Sequence, residues 1–261
     1  MVVMKNTILS ENDTELIERV ILKHGRIVTI ADLINVFITD YSKGAAHNRI
    51  HILTETGWLK RIKQGLYIVN ESISSRYQND LSLIAISSAF DNGSYVSLSY
   101  ALNYYQMFDQ FTKTITAITT KDSKKYRFDD YIFQFSKVKS EMFFGFEEKI
   151  ESGQVVKIAD AEKALIDFLY LDTSFSSASL VFEKLREHQK SLNLEKLQNY
   201  ALLSNVTVKR KIGFFLDQLN IESQNLYNSL KEKSKGFSRF TSNSILFNAK
   251  WRIYYDDKII R

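Results

Sequence analysis

Residues 41–70, YSKGAAHNRIHILTETGWLKRIKQGLYIVN, constrain the fold more than any other stretch of the chain. They read as a helix, a glycine, a short strand, a basic turn and a second short strand. A helix stopped at Gly57 and followed at once by a hairpin leaves few arrangements open. The stretch carries five Lys/Arg (Lys43, Arg49, Lys60, Arg61, Lys63), His47 and His51 of the four histidines, and one acid, Glu55.

The residues before it complete a module. Asn12 and Glu15 form an N-cap pairing that opens a first helix, with Leu16, Ile17, Val20 and Ile21 on one face and His24-Gly25 at its end. Arg26–Val28 reads as a short strand. Thr29 and Asp32 cap a second helix over ADLINVF, and residues 42–57 make a third. Trp58–Ile62 and Leu66–Val69 are strands around Lys63-Gln64-Gly65. Helix, strand, helix, helix and hairpin in this order match a winged helix-turn-helix over residues 1–75.

With Ala46 at zero on a helical wheel, Ile50 and Leu53 fall on the inward side. His47, Asn48 and His51 fall opposite, and Arg49 sits on the border. Asn and Arg are types that contact adenine and guanine edges with two hydrogen bonds. Lys43 lies at the start of the helix, where recognition helices meet the groove. The expected base-reading set is therefore Lys43, His47, Asn48, Arg49 and His51. Lys60, Arg61 and Lys63 would bind phosphate from the wing, fixing register without reading sequence. His47 and His51 lie one turn apart, as metal ligands can, but no third ligand is evident in the sequence, so no metal is expected.

Residues 71–80 are polar and read as a short linker. A larger mixed α/β domain with a helical C-terminal part follows over 80–261, so the fold class is α+β. LSLIAISSAF is a helix, SYVSLSYALNYYQMF follows with Ser97 or Ser99 as a cap, and Ile115–Thr119, Tyr131–Phe135 and Val155–Ile158 read as strands. ADAEKALIDFLYL is a helix. Residues 177–230 are helical, with Val208, Ile212, Phe215, Leu216 and Leu219 in a stripe. SILFNAKWRIYYDD alternates enough to be a closing strand. Lys121, Lys124, Lys125 and Arg127 cluster in one basic turn, and Lys209, Arg210 and Lys211 occupy the polar side of a helix. Residues 231–261 hold eight Lys/Arg against three acids. Together these cations allow a second nucleic-acid surface, for DNA beyond the wing or for RNA.

A net charge of +5 and a pI near 9.1 tilt weakly towards an anionic partner. The absence of cysteine excludes disulfides and thiolate chemistry. No apolar run approaches a membrane span and no signal-peptide core is seen, so a cytoplasmic protein without a membrane partner is expected. Ser97 lacks a glycine-flanked elbow and reads as an N-cap, not a nucleophile. Glu162 reads as a first-turn acid, and Asp167 does not share its face. No phosphate-cradling loop is present, so no enzyme and no cofactor are expected.

The blocks SYVSLSYALNYYQMFDQ, MFFGF and VVKIADAEKALIDFLYL follow GWLKRIKQGLYIV in that order. In this arrangement the chain resembles the AbiEi-like antitoxins of type IV toxin–antitoxin systems, which are linked to phage defence by abortive infection. The resemblance runs from about residue 10 to Trp251. Its most specific pieces are residues 95–102 and 159–167, and Ala161 stands where the family often has proline. It implies an antitoxin that binds inverted repeats in its own promoter, represses its operon and counters a nucleotidyltransferase-like toxin without necessarily forming a stable complex with it. The alternative is a protein-interaction module that sequesters a toxin directly, with no physiological DNA binding.

Overall fold

The computed structural model describes residues 9–71, 81–110, 112–231 and 236–260. Helix α1 (Glu11–His24) starts at Ser10, not at Asn12. Ser10 Oγ accepts from the Asp13 amide at 3.2 Å and donates to the Asp13 carboxylate at 2.6 Å, so the two side chains close the first turn. Gly25, at φ 76°, ends the helix. Strand β1 (Ile27–Thr29) leads into α2 (Ile30–Phe37) through a full capping box between Thr29 and Asp32. Helix α3 (Lys43–Glu55) is capped by Ser42, whose hydroxyl accepts from the Ala45 amide.

Strands β2 (Leu59–Lys63) and β3 (Leu66–Val69) form an antiparallel hairpin. Strand β1 adds to β3, giving the order β1-β3-β2. Leu16 and Val20 of α1, Leu33 and Phe37 of α2, and Ala46, Ile50 and Leu53 of α3 meet Trp58, Leu59 and Val69 in one core. The expected linker at 71–80 falls on residues 72–80, outside those described.

The chain divides into two compact units, residues 1–90 with 150–156, and residues 91–149 with 157–261. The boundary follows Phe90 instead of falling at 75–80, so α4 (Leu83–Phe90) groups with the N-terminal elements. In the second part β4 (Tyr95–Ser97) runs into α5 (Leu98–Tyr104). Strands β5 (Thr114–Thr119), β6 (Lys124–Phe128), β7 (Tyr131–Lys137), β8 (Phe146–Glu151) and β9 (Gln154–Ala159) follow, with residues 150–156 of the last two grouped with the first unit. They form a mixed sheet in the order β6-β7-β5-β4-β9-β8. The basic segment expected as a turn is partly strand, because Lys124–Phe128 pairs antiparallel with Tyr131–Phe135 around Asp129 at φ 49°.

Helix α6 (Ala161–Leu171) is the hub of the helical part, packing against α5, α7 (Phe175–His188), α8 (Leu194–Leu203) and α9 (Val206–Gln218). Helix α10 (Gln224–Lys231) follows. The tail is not a single strand. Strand β10 (Ser238–Arg239) pairs parallel with β12 (Ile253–Tyr255), which pairs antiparallel with β11 (Leu246–Asn248). The reversal between β11 and β12 seats Trp251 on Gly213 of α9, where a Cβ would lie 2.1 Å from the indole. The architecture is mixed α/β of the α+β class. Among the described residues no helix is long and apolar enough to cross a membrane.

Candidate nucleic-acid interface

Helix α3 presents its two faces as the wheel requires. Ala46, Ile50 and Leu53 are buried in the core. Lys43, His47 and His51 stand at i, i+4 and i+8, and with Asn48 they are all exposed. Together they form one polar ridge. Thirteen residues at 1.5 Å each make a rod of about 20 Å, long enough to lie in a major groove. Among the described residues no third Cys, His, Asp or Glu joins His47 and His51 to make a metal site.

Two of the predicted contacts are spent elsewhere. Arg49 does not point out with the ridge. Its guanidinium forms an ion pair with the buried Asp13 carboxylate through both Nε and Nη2. Arg49 therefore ties α3 to the first turn of α1, with its guanidinium committed to Asp13 and not to the exposed ridge. The cause is the Ser10–Asp13 cap, which buries a carboxylate within reach of the third helix and demands a cation there.

Lys63 is the second correction. The hairpin shifts register between Arg61 and Lys63, and this irregularity re-aims the side chain. Lys63 Nζ donates to the Phe90 carbonyl at 3.0 Å and lies 5.5 Å from the Phe90 ring centroid, so it holds α4 to the hairpin. On the same strand Arg61 is exposed and Lys60 half-buried.

The other predicted cations also divide. Lys124, Lys125 and Arg127 are exposed on β6, the outermost strand of its sheet. Lys121 pairs with Asp91 at 2.7 Å. Arg210 and Lys211 are not on a polar face, since both are buried. The Arg210 guanidinium donates to the Gly236 carbonyl at 2.7 Å and to Ser238 Oγ at 3.2 Å. Lys211 Nζ donates to the Leu169 carbonyl at 3.2 Å, and burial pushes its ammonium down to about 8. Lys209 is half-buried.

Sequence reasoning missed a fully buried polar cluster. On α6, Lys163 forms an ion pair with Asp167 one turn on, and both are enclosed. The Asp167 carboxylate also accepts from Ser97 Oγ at 2.7 Å and from the Tyr95 hydroxyl at 3.1 Å. Burial pushes the Asp167 carboxyl up, against the opposing pull of Lys163 and the two hydroxyls. Burial, then the nearby Asp167, raises the Tyr95 phenol. Ser97 stands at the N-cap of α5 without capping it, because its hydroxyl is committed to Asp167. Glu162 is likewise buried and accepts from the Asn193 amide at 2.7 Å. The signal was present in the sequence: a Lys and an Asp four apart, embedded in an otherwise apolar helix. With every member enclosed, the cluster joins residues 95–97 to residues 163–167 as a packing device.

No family model matches the chain, and no curated protein does. Among solved structures it is similar to the RV2827C protein from Mycobacterium tuberculosis, with a TM-score of 0.64 and 13% identity. The match covers 96% of this chain and 93% of that one. At that identity the likeness is one of fold.

Proposed function

We propose that residues 9–71 form a winged helix-turn-helix that binds double-stranded DNA, and that the chain is an AbiEi-like antitoxin repressing its own operon. The observation that carries the DNA reading is the ridge Lys43, His47, Asn48 and His51, exposed along α3 and followed directly by a hairpin with Arg61 exposed. The element order α1-β1-α2-α3-β2-β3 and the β1-β3-β2 sheet support the fold name. Asn48 would read an adenine edge, and Arg61 with Lys60 would hold phosphates.

The antitoxin reading rests on the resemblance in residues 95–102 and 159–167. Those two blocks meet through Tyr95, Ser97, Lys163 and Asp167, so they act together as determinants of one domain. In this reading the cytoplasmic protein counters a nucleotidyltransferase-like toxin without a cofactor of its own.

A reporter fused to the gene's upstream region tests both parts. Expression of the full chain lowers reporter output and rescues growth against the toxin. Asn48→Ala with His51→Ala lifts repression and leaves rescue intact. Repression unaffected by these changes, with the toxin co-purifying on the chain, would replace this reading with direct sequestration.

A further inference from the structure

The C-terminal sheet leaves one face uncovered. Register places Arg239, Tyr254 and Phe247 in a single row across β10, β12 and β11. The opposite face buries Ile253 and sets Tyr255 against Phe214 at 4.7 Å, so the row points away from the core. Phe237 and Phe247 are 59% and 49% exposed. Both lean on Tyr254, at 5.2 and 4.9 Å between ring centroids. The Arg239 guanidinium covers the Tyr254 ring at 3.9 Å and is fixed by the Ser244 carbonyl at 2.6 Å.

Two exposed phenyl rings flanking a stacked Arg–Tyr pair are an unusual use of a solvent-facing sheet, since large apolar side chains in a contiguous patch mark a binding surface. The charge around them selects the partner. Residues 236–255 contain Arg239, Lys250 and Arg252 and no acid. Lys250 is paired with Asp217 at 2.7 Å, and the exposed Arg252 immediately precedes β12. Phe237, just before β10, and Phe247 on β11 both contact Tyr254 of the central strand β12, so the row offers two exposed phenyl rings beside the Arg–Tyr pair. Aromatic faces for bases with cations for the backbone are what an unpaired strand requires, because unstacked bases offer π-faces that a duplex hides.

We infer that the face formed by Phe237, Arg239, Phe247 and Tyr254 binds single-stranded nucleic acid, stacking bases on the two phenyl rings and on the guanidinium plane. This site is separate from the α3 ridge and takes a different form of nucleic acid.

The test is fluorescence anisotropy of the full chain with labelled twelve-residue oligo-uridylate and its oligo-thymidylate counterpart. Wild type binds, and tighter binding of the ribo- or the deoxy-oligomer names the sugar. Phe247→Ala and Phe237→Ala each weaken binding about tenfold. Phe247→Leu keeps the apolar area, removes the π-face and loses as much. Asn48→Ala leaves oligomer binding unchanged while duplex binding falls, so the two sites fail independently. The inference is overturned if wild type does not bind, or if Phe247→Leu binds as wild type does. It is also overturned if Phe247→Ala abolishes self-association in sedimentation and leaves oligomer binding intact, which would assign the face to a second copy of the chain.

Discussion

Arg49 and Lys211 show how one residue type changes meaning with its surroundings. Arg49 has the right identity and position for a guanine contact, yet its partner is Asp13. Arg49→Ala leaves that buried carboxylate with Ser10 alone and costs about 2–3 kcal/mol, read as a lower denaturant midpoint. Where the variant is folded, its sequence preference on duplex DNA matches wild type.

Lys211 sits in a basic triplet that reads as surface but is buried against Phe240 and the Leu169 carbonyl. Below pH 8 it is charged in folded and unfolded chains alike, and the folded state bears the full desolvation cost. Between about 8 and 10.5 the folded chain has released a proton that the unfolded chain still holds, so this group's contribution to stability rises with pH. Lys211→Met removes a cost of about 3 kcal/mol at neutral pH. In thermal melts the variant's advantage over wild type is largest near pH 7 and vanishes towards pH 10.5. An advantage constant with pH would contradict the assignment.

At the scale of elements, packing around two residues decides how the helical part holds together. Gly213 lies inside α9, where alanine would ordinarily gain about 1 kcal/mol of helix propensity. Here the added methyl would displace Trp251 and break its Nε1 bond to Asp217, at 2.8 Å. Overpacking outweighs propensity, and Gly213→Ala is expected to lose about 2 kcal/mol, several degrees in the melting temperature. On α6, Lys163→Ala strands a buried carboxylate and costs about 3–5 kcal/mol, whereas Lys163→Met with Asp167→Leu restores only part of it, because the buried Tyr95 and Ser97 hydroxyls then lose their acceptor. Chemical denaturation of the single and double variants separates the two results.

What was legible in the sequence follows from which signals are local. Capping at Thr29–Asp32, the stop at Gly57 and the apolar face of α3 depend on neighbours within one turn, and they read correctly. The Ser10–Asp13 cap is equally local and was read two residues late, at Asn12, while the Lys63–Phe90 bond and the burial of Arg210 and Lys211 depend on partners that periodicity cannot name. Strand β6 read as a turn because its exposed lysines hide a pairing that only β7 supplies. The exposed ridge of α3 was legible, since a wheel needs only the helix and its buried side. The sheet face in the tail was not, because its aromatic row joins three strands separated in sequence.

At the scale of the whole molecule, the two units divide the proposed work. In the proposed reading the N-terminal ridge contacts duplex DNA, and the second unit carries the blocks that resemble the antitoxins and a sheet face for unpaired strands. The central claim concerns the ridge. The most direct measurement is a salt-titrated binding curve on the upstream promoter duplex and on a scrambled duplex, for wild type, Asn48→Ala and Arg61→Ala. Asn48→Ala should lose about 1–3 kcal/mol on the promoter and little on the scrambled duplex. Arg61→Ala should weaken both alike and reduce the salt slope by about one unit. Wild type binding the two duplexes equally, or both variants retaining wild-type curves, would contradict the assignment of α3 as the reading helix.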